Sequence, residues 1–325
     1  AAIEEADAIL IIGSNPRLEA PVLNARIRKR HLKGGCAIGV IGEKADLTYP
    51  YTYMGAGPET LGKLESHALA KAQKPMFIIG QGALARPDGA AVLASAYRAA
   101  TAIGVIKDGW NGFNILHTAA GRAGALDVGA LPAAGGGMNT AQMLEAAKKG
   151  DLDVLFLIGA DEIDTAQLGG TFVAYLGSHG DAGAHRADVI LAGAAYTEKS
   201  VTYVNTEGRP QMTARAAFPP GEAREDWAVL RALSESLSAT LPWNSLDELR
   251  TAMYVIAPQL ARIDAVEKED AGALSGLAKA SGKASTEPFR SAVRDFYLTN
   301  PIARASRIMA ECSALKTVRN LEAAE

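Results

Sequence analysis

One pattern recurs along the chain and limits its fold more than any other: a short, unbroken apolar run that ends in glycine. It reads Ala8-Ile9-Leu10-Ile11-Ile12-Gly13, then Met76-Phe77-Ile78-Ile79-Gly80, then Val154-Leu155-Phe156-Leu157-Ile158-Gly159. Weaker copies are Ala37-Ile38-Gly39-Val40-Ile41-Gly42 and Val189-Ile190-Leu191-Ala192-Gly193. Runs without polar alternation suit strands buried on both faces, the condition of a parallel sheet. A glycine at the carboxyl end lets the chain turn sharply into the next element. Each buried Ile or Leu contributes about 1.5–3 kcal/mol, so a charge at Ile11 or Leu157 is expected to break the fold.

Between these runs the spacing predicts helices over residues 18–30, 89–102, 112–125 and 140–149, the last with Thr140 as N-cap. Strand and helix in alternation give an α/β fold with doubly wound, mostly parallel sheets, whose ligands sit at the carboxyl ends of the strands. The Gly- and Pro-rich stretch 129–137 is a loop that separates two such units. Residues 1–128 then form a first Rossmann-like domain and residues 129–240 a second α/β unit. From residue 241 the Gly-ended runs stop. Helices over 246–257 and 302–318, joined by a polar stretch at 267–287 read as a poorly ordered linker, make residues 241–325 a helical tail.

The chain has 325 residues, 33 Lys and Arg against 36 Asp and Glu, and 48% hydrophobic residues. That composition excludes a disordered chain, and the near-neutral charge argues against a general nucleic-acid binder. No apolar run is long enough to cross a membrane as a helix. Cys36 and Cys312 lie far apart and make no cluster for an iron–sulfur centre or zinc, so each reads as a buried free thiol in a reducing, intracellular compartment. The start has no apolar signal segment and no initiating Met, and the expectation is a piece of something longer.

The residues alone give no convincing active site. Gly80-Gln81-Gly82-Ala83-Leu84-Ala85 follows a strand as a G-x-G-x-x-A dinucleotide fingerprint does, but Arg86-Pro87-Asp88-Gly89 interrupts the helix that should meet the pyrophosphate. A tight turn is the simpler reading. Of the histidines His31, His67, His117, His179 and His185, only His179 and His185 lie close in sequence, with Asp181 and Asp188 nearby. They could serve a metal or acid–base chemistry, but no third ligand is visible, and loop hydrogen bonding is the plainer role.

A resemblance goes further. Ala6 to Pro16 (ADAILIIGSNP), Ala187 to Leu191 (ADVIL) and Asn205 to Gln211 (NTEGRPQ) resemble the molybdopterin oxidoreductase superfamily. Within it, NPRLEAPVLNARIRK (Asn15 to Lys29), VLFLIGAD (Val154 to Asp161), HGDAGAHRADVIL (His179 to Leu191) and AAYTEKSVTYVNTEGRPQ (Ala194 to Gln211) are similar to the large iron–sulfur subunits of respiratory NADH–quinone oxidoreductase, complex I. The tail run DFYLTNPIARASRIMAEC (Asp295 to Cys312) extends the likeness over nearly the whole chain.

The resemblance implies a structural scaffold in the peripheral arm, supporting electron transfer from NADH to quinone beside the other peripheral-arm subunits. The location implied is the cytoplasmic face of a bacterial inner membrane, or the matrix side in a mitochondrion. Iron–sulfur clusters are expected in an amino-terminal part upstream, and none in this segment. Pterin-binding relatives carry Asp-Pro-Arg after the second strand, where this chain reads Gly42-Glu43-Lys44, and a β-barrel cap that the tail here lacks. No catalytic residue, bound cofactor or metal ligand is therefore assigned. Gly13, Ser14, Asn15, Gly159 and Asp161 are candidates for a vestigial crevice, with Asn15 expected to satisfy backbone groups. Two other readings stay open: an active molybdopterin-dependent oxidoreductase, and a free-standing NAD-binding enzyme resting on Gly80 to Ala85.

Overall fold

Strand β1 (Ala8–Ile12) is buried at every position, as its unbroken apolar run requires. In the computed structural model, which describes residues 3–66, 68–132, 136–267, 271–280 and 282–322, it pairs in parallel with β2 (Ala37–Ile41) on one side. Beyond β2 lies β3 (Thr52–Gly55), and on the other side of β1 lies β4 (Pro75–Ile79), also buried throughout. After a two-residue ladder of β5 (Ile106–Lys107) and β6 (Trp110–Asn111), β7 (Phe113–Ile115) completes a parallel sheet of order β3-β2-β1-β4-β7. Successive side chains of a strand point to opposite faces. Leu10 and Ile12 accordingly join Phe77, Val92 and Ala96 in one core, while Ile9 and Ile11 join Ile27, Ile38 and Val40 in another.

Two local expectations fail here for identifiable reasons. Residues 112–125 do not form a helix: Phe113 and Ile115 favour a pleated strand, and the next helix is Arg122–Asp127. The helix expected over 18–30 is divided into Pro16–Glu19 and Pro21–Leu32 at Ala20, the residue before a proline, which is disfavoured in helical conformation.

A second sheet holds β8 (Val154–Ile158), β9 (Phe172–Gly177) and β10 (Val189–Ala192), parallel and in the order β10-β9-β8. The helix Thr140–Lys149 precedes it, capped by Asn139 rather than Thr140: the Asn139 side chain accepts from Gln142 N and the Gln142 side chain accepts from Asn139 N, both at 2.9 Å. Leu157, Val173 and Tyr175 pack against Ala147 and Leu168 on one face. On the other face Val154, Phe156, Ile158 and Phe172 are 41–45% exposed. Burial on both faces, expected for β8, is thus not found in that edge strand, where only Leu157 is buried, whereas the central strand β9 is buried on both faces from Val173 to Leu176. An antiparallel hairpin, β11 (Thr202–Val204) and β12 (Pro210–Met212), turns over residues 205–209, where Asn205 Oδ1 accepts from Glu207 N at 2.8 Å and Arg209 N at 3.1 Å.

The chain divides into two compact units, and the division differs from the one expected. Unit 1 takes Ala1–Arg122 with Glu267–Phe296, and unit 2 takes Ala123–Val266 with Tyr297–Glu325. Residues 241–325 are therefore shared out between the units. In unit 2, Ala257 and Leu260 bury against Val204 of the hairpin, with Met253 and Tyr254 packed on them. In unit 1, Ala271–Lys279 is a 3-10 helix against the helix Gly89–Ala102, so the expected linker is in good part anchored structure. Part of the Gly-rich loop (residues 133–135) and Lys268 lie outside the described residues. Among the described residues no helix is long and apolar enough to cross a membrane.

Candidate functional site

In unit 1 the strand order reverses at β1, with β2 and β3 to one side and β4 and β7 to the other. A doubly wound sheet takes its ligand in the crevice outside the strand ends at such a point. Gly13, Ser14 and Asn15 line it. Gly13 adopts φ +58°, and a Cβ there would lie 2.6 Å from the Cβ and backbone nitrogen of Ala83, so only glycine fits the turn. Ser14 Oγ and Asn15 N both donate to the Glu19 carboxylate at 2.8 Å. Asn15 Oδ1 is buried with no hydrogen-bond partner among the described residues, contrary to the expectation that Asn15 satisfies backbone groups. Glu19 has taken that role. The fingerprint-like run forms only a short helix, Gln81–Leu84, broken before the helix Gly89–Ala102, as Arg86 and Pro87 suggest.

The crevice of unit 1 contains a part of the chain that sequence reasoning did not place there. Phe289 is fully buried in the core that includes Ile12, Ile41, Ile79 and Ala83, and its N–H donates to Ala56 O at 2.8 Å. Arg290 Nη1 meets Glu43 Oε1 at 3.1 Å, and Ser291 N donates to Glu43 Oε2 at 2.9 Å. Ser291 Oγ reaches Glu19 Oε1 at 3.2 Å. A Cβ on Gly82 would overlap the Arg290 carbonyl oxygen, so the glycine admits this backbone at close range. The Ser291 N–H, joined by Arg290 and opposed by burial, holds the Glu43 carboxyl below the usual range. Just upstream, Ser285 N donates to Asp88 at 2.7 Å. The Asp88 pKa is drawn down to about 2, first by Arg86 and then by that Ser285 bond.

In unit 2, Gly159 repeats the φ of Gly13, +58°. Asp161 follows, its side chain only 1% exposed. Its Oδ2 accepts from Gly183 N at 3.2 Å and its Oδ1 from Arg304 Nη2 at 3.0 Å. The same guanidinium meets Glu162 at 3.2 Å and Asp181. Arg304 ends a short helix, Pro301–Arg304, capped by Asn300. Around the histidines, Tyr175 donates its hydroxyl proton to His179 O at 3.0 Å, the His179 ring Nδ1 lies 3.0 Å from Ser178 Oγ, Asp181 caps the helix Ala182–Arg186, and Asp188 accepts from Val173 N at 2.8 Å. Among the described residues no group of three His, Cys, Asp or Glu side chains could hold a metal ion. His67 lies outside the described residues.

Sequence reasoning thus reached the loops but missed Glu19, Glu43, Phe289, Arg290 and Arg304. Glu43 carried one usable signal, an acid at the end of the second strand, where a dinucleotide-binding sheet holds a ribose.

The geometry defines the class only as an α/β protein with parallel sheets. Residues 1–236 match the family described as molybdopterin oxidoreductase, and the chain belongs to that family. Residues 263–312 match a second family, described as the C-terminal region of an NADH-ubiquinone oxidoreductase subunit. The chain is 41% identical, over 97% of its length, to the NADH-ubiquinone oxidoreductase 75 kDa subunit of Reclinomonas americana, of which it covers 46%. It is 40% identical to the mitochondrial 78 kDa subunit of Neurospora crassa over 97% of this chain and 42% of that one. With the mitochondrial NADH dehydrogenase [ubiquinone] iron-sulfur protein 1 of Solanum tuberosum it shares 39% over 96% of this chain and 42% of that one. The chain spans less than half the length of these relatives. Acetylene hydratase from Pelobacter acetylenicus shares the fold at a TM-score of 0.54 and 11% identity, over 94% of this chain and 56% of that one.

The family implies a pterin dinucleotide, and the residues present do not fit one in the unit 1 crevice. Residues 289–291 fill the space beside Gly42 and Gly82, and Glu43 already has its donors.

Proposed function

We propose that this chain is a carboxyl-terminal region of the large iron–sulfur subunit of respiratory NADH–ubiquinone oxidoreductase, complex I. There it acts as a structural scaffold of the peripheral arm and carries no electrons itself. The observation that carries this reading is the 39–41% identity to such subunits, which runs across the α/β units and into the tail. The clusters that move electrons from NADH to quinone belong, in this reading, to a part of the subunit outside this chain. Its partners are other peripheral-arm subunits, and its place is peripheral to the membrane, on the cytoplasmic face in a bacterium or the matrix face in a mitochondrion. A crevice filled by the chain itself favours this scaffold role over an active molybdopterin-dependent oxidoreductase.

Affinity purification of the tagged polypeptide from its own cells, followed by native electrophoresis stained for NADH dehydrogenase activity, tests the reading. Co-migration with the active band is expected. Migration apart from it sinks the proposal. The purified chain itself is expected to be colourless, and stoichiometric molybdenum, tungsten or iron on elemental analysis would contradict the cofactor-free scaffold.

A further inference from the structure

The loops after β1 and β8 both begin with a glycine at φ +58°. Ile12-Gly13-Ser14-Asn15 and Ile158-Gly159-Ala160-Asp161 put Asn15 and Asp161 two residues past that glycine, although β1 is central in its sheet and β8 lies at the edge of its own. In each unit the same stretch of tail supplies what lies there. Unit 1 receives the Phe289 ring, the Arg290 guanidinium and the Ser291 backbone; unit 2 receives the Arg304 guanidinium.

We propose that residues 287–291 are a built-in occupant of the unit 1 crevice, a tethered segment that takes the place of a ligand where the strand order reverses and keeps nucleotides out, while Arg304, from the same tail, serves unit 2 as the counterion of an acidic cluster.

Three features of unit 1 support this. Glu43, at the end of β2, stands where such folds place the acid that binds ribose hydroxyls, and its two oxygens are engaged by Arg290 and the Ser291 N–H. Gly82, inside the fingerprint-like run, leaves room for the Arg290 carbonyl where a fingerprint glycine leaves room for pyrophosphate. Gly57 lies against the Glu287 carbonyl and Pro288, where a Cβ would come within 3.1 Å and 3.5 Å of them. In unit 2 one guanidinium answers three carboxylates, Asp161, Glu162 and Asp181, which without it would repel one another. A tethered occupant is present at high effective concentration, so it holds the loops of the native state as a saturating ligand would.

Amide hydrogen exchange on the full chain, with and without millimolar ADP as probe, tests the proposal. The Phe289 and Ser291 amides are expected to be protected in the wild type. In Glu43→Ala/Arg290→Ala they are expected to exchange about tenfold faster or more, the scale of one lost charge-assisted hydrogen bond, with unit 2 unchanged. Arg304→Ala is expected to speed exchange at Gly183 and leave residues 289–291 as they were. ADP is expected to change no amide of residues 13–15 or 42–43 in the wild type. Should the double variant unfold, Glu43→Gln, which keeps the side chain's size, carries the test with a smaller effect in the same direction. Unprotected amides at 289 and 291 in the wild type, exchange unaltered by the variants, or protection of residues 13–15 by ADP in the wild type would each overturn the proposal.

Discussion

Asn15 and Asp161 each lie two residues past a glycine at φ +58° and meet opposite electrostatic circumstances. Asn15 Oδ1 is buried without a partner among the described residues, so the native state already bears the cost of its lost hydration. Asn15→Ala removes that atom and is expected to change stability by no more than about 1 kcal/mol in either direction. A denaturant midpoint lowered by several times that amount would show that the amide has a partner in solution. Asp161 is a charge held almost wholly out of water, and Arg304 is its counterion. Arg304→Ala is expected to cost about 2–3 kcal/mol, because the carboxylate is left buried beside Glu162 and Asp181. Arg304→Lys is expected to recover only part of this, since an ammonium cannot reproduce the fork that spans three acids. Urea titrations of the two variants measure both effects.

Among the elements, the segment at 285–291 is tied to unit 1 by carboxylates whose protonation is linked to its seating. Asp88 and Glu43 both have depressed pKa values, Asp88 about 2. A depressed carboxyl contributes stability that is fully present above its unfolded value, near 4, and is lost as pH falls through the folded value. Acidification from about pH 4 toward pH 2 is therefore expected to release the segment before the sheet of unit 1 opens. Exchange at Ser285 and Ser291 measured down this range should rise ahead of exchange in β1, and simultaneous release would refute the ordering. None of this seating was legible in the sequence. Glu43 and Ser291 are 248 residues apart, and no local pattern joins them. The strands β1, β2 and β4 were legible because burial writes itself into a continuous apolar run, and β8 and β10 carry the same apolar signature although most of their residues are not buried in this chain. Strand β7 was not, because Phe113-Asn114-Ile115 is too short to distinguish from the turn of a helix. The crevice loops were found from their glycines, but Phe289, Arg290 and Ser291 lie just past the stretch 267–287 read as a polar linker and were read only as part of a helical tail, since no periodicity marks them.

For the whole molecule, the tail decides whether stability is divided between two self-sufficient units and an appendage, or shared through one C-terminal segment. The described structure has residues 267–296 in unit 1 and 297–325 in unit 2, which predicts a graded response to shortening the chain. A chain ending at Phe296 keeps Phe289, Arg290 and Ser291 but loses Arg304. Unit 2 is then expected to lose the same 2–3 kcal/mol as Arg304→Ala, or somewhat more, while unit 1 holds its stability. A chain ending at Val266 loses Phe289 as well, a fully buried aromatic whose removal from a core costs about 3–5 kcal/mol, and both units are expected to weaken. Hydrogen exchange resolved by segment reads the two units separately, with β1 reporting on unit 1 and β9 on unit 2. If the two truncated chains protect β1 and β9 as the full chain does, the tail is an appendage after all and the expected boundary near residue 240 stands. If the chain ending at Val266 loses protection in both strands and the chain ending at Phe296 only in β9, the last part of the chain completes each unit in turn.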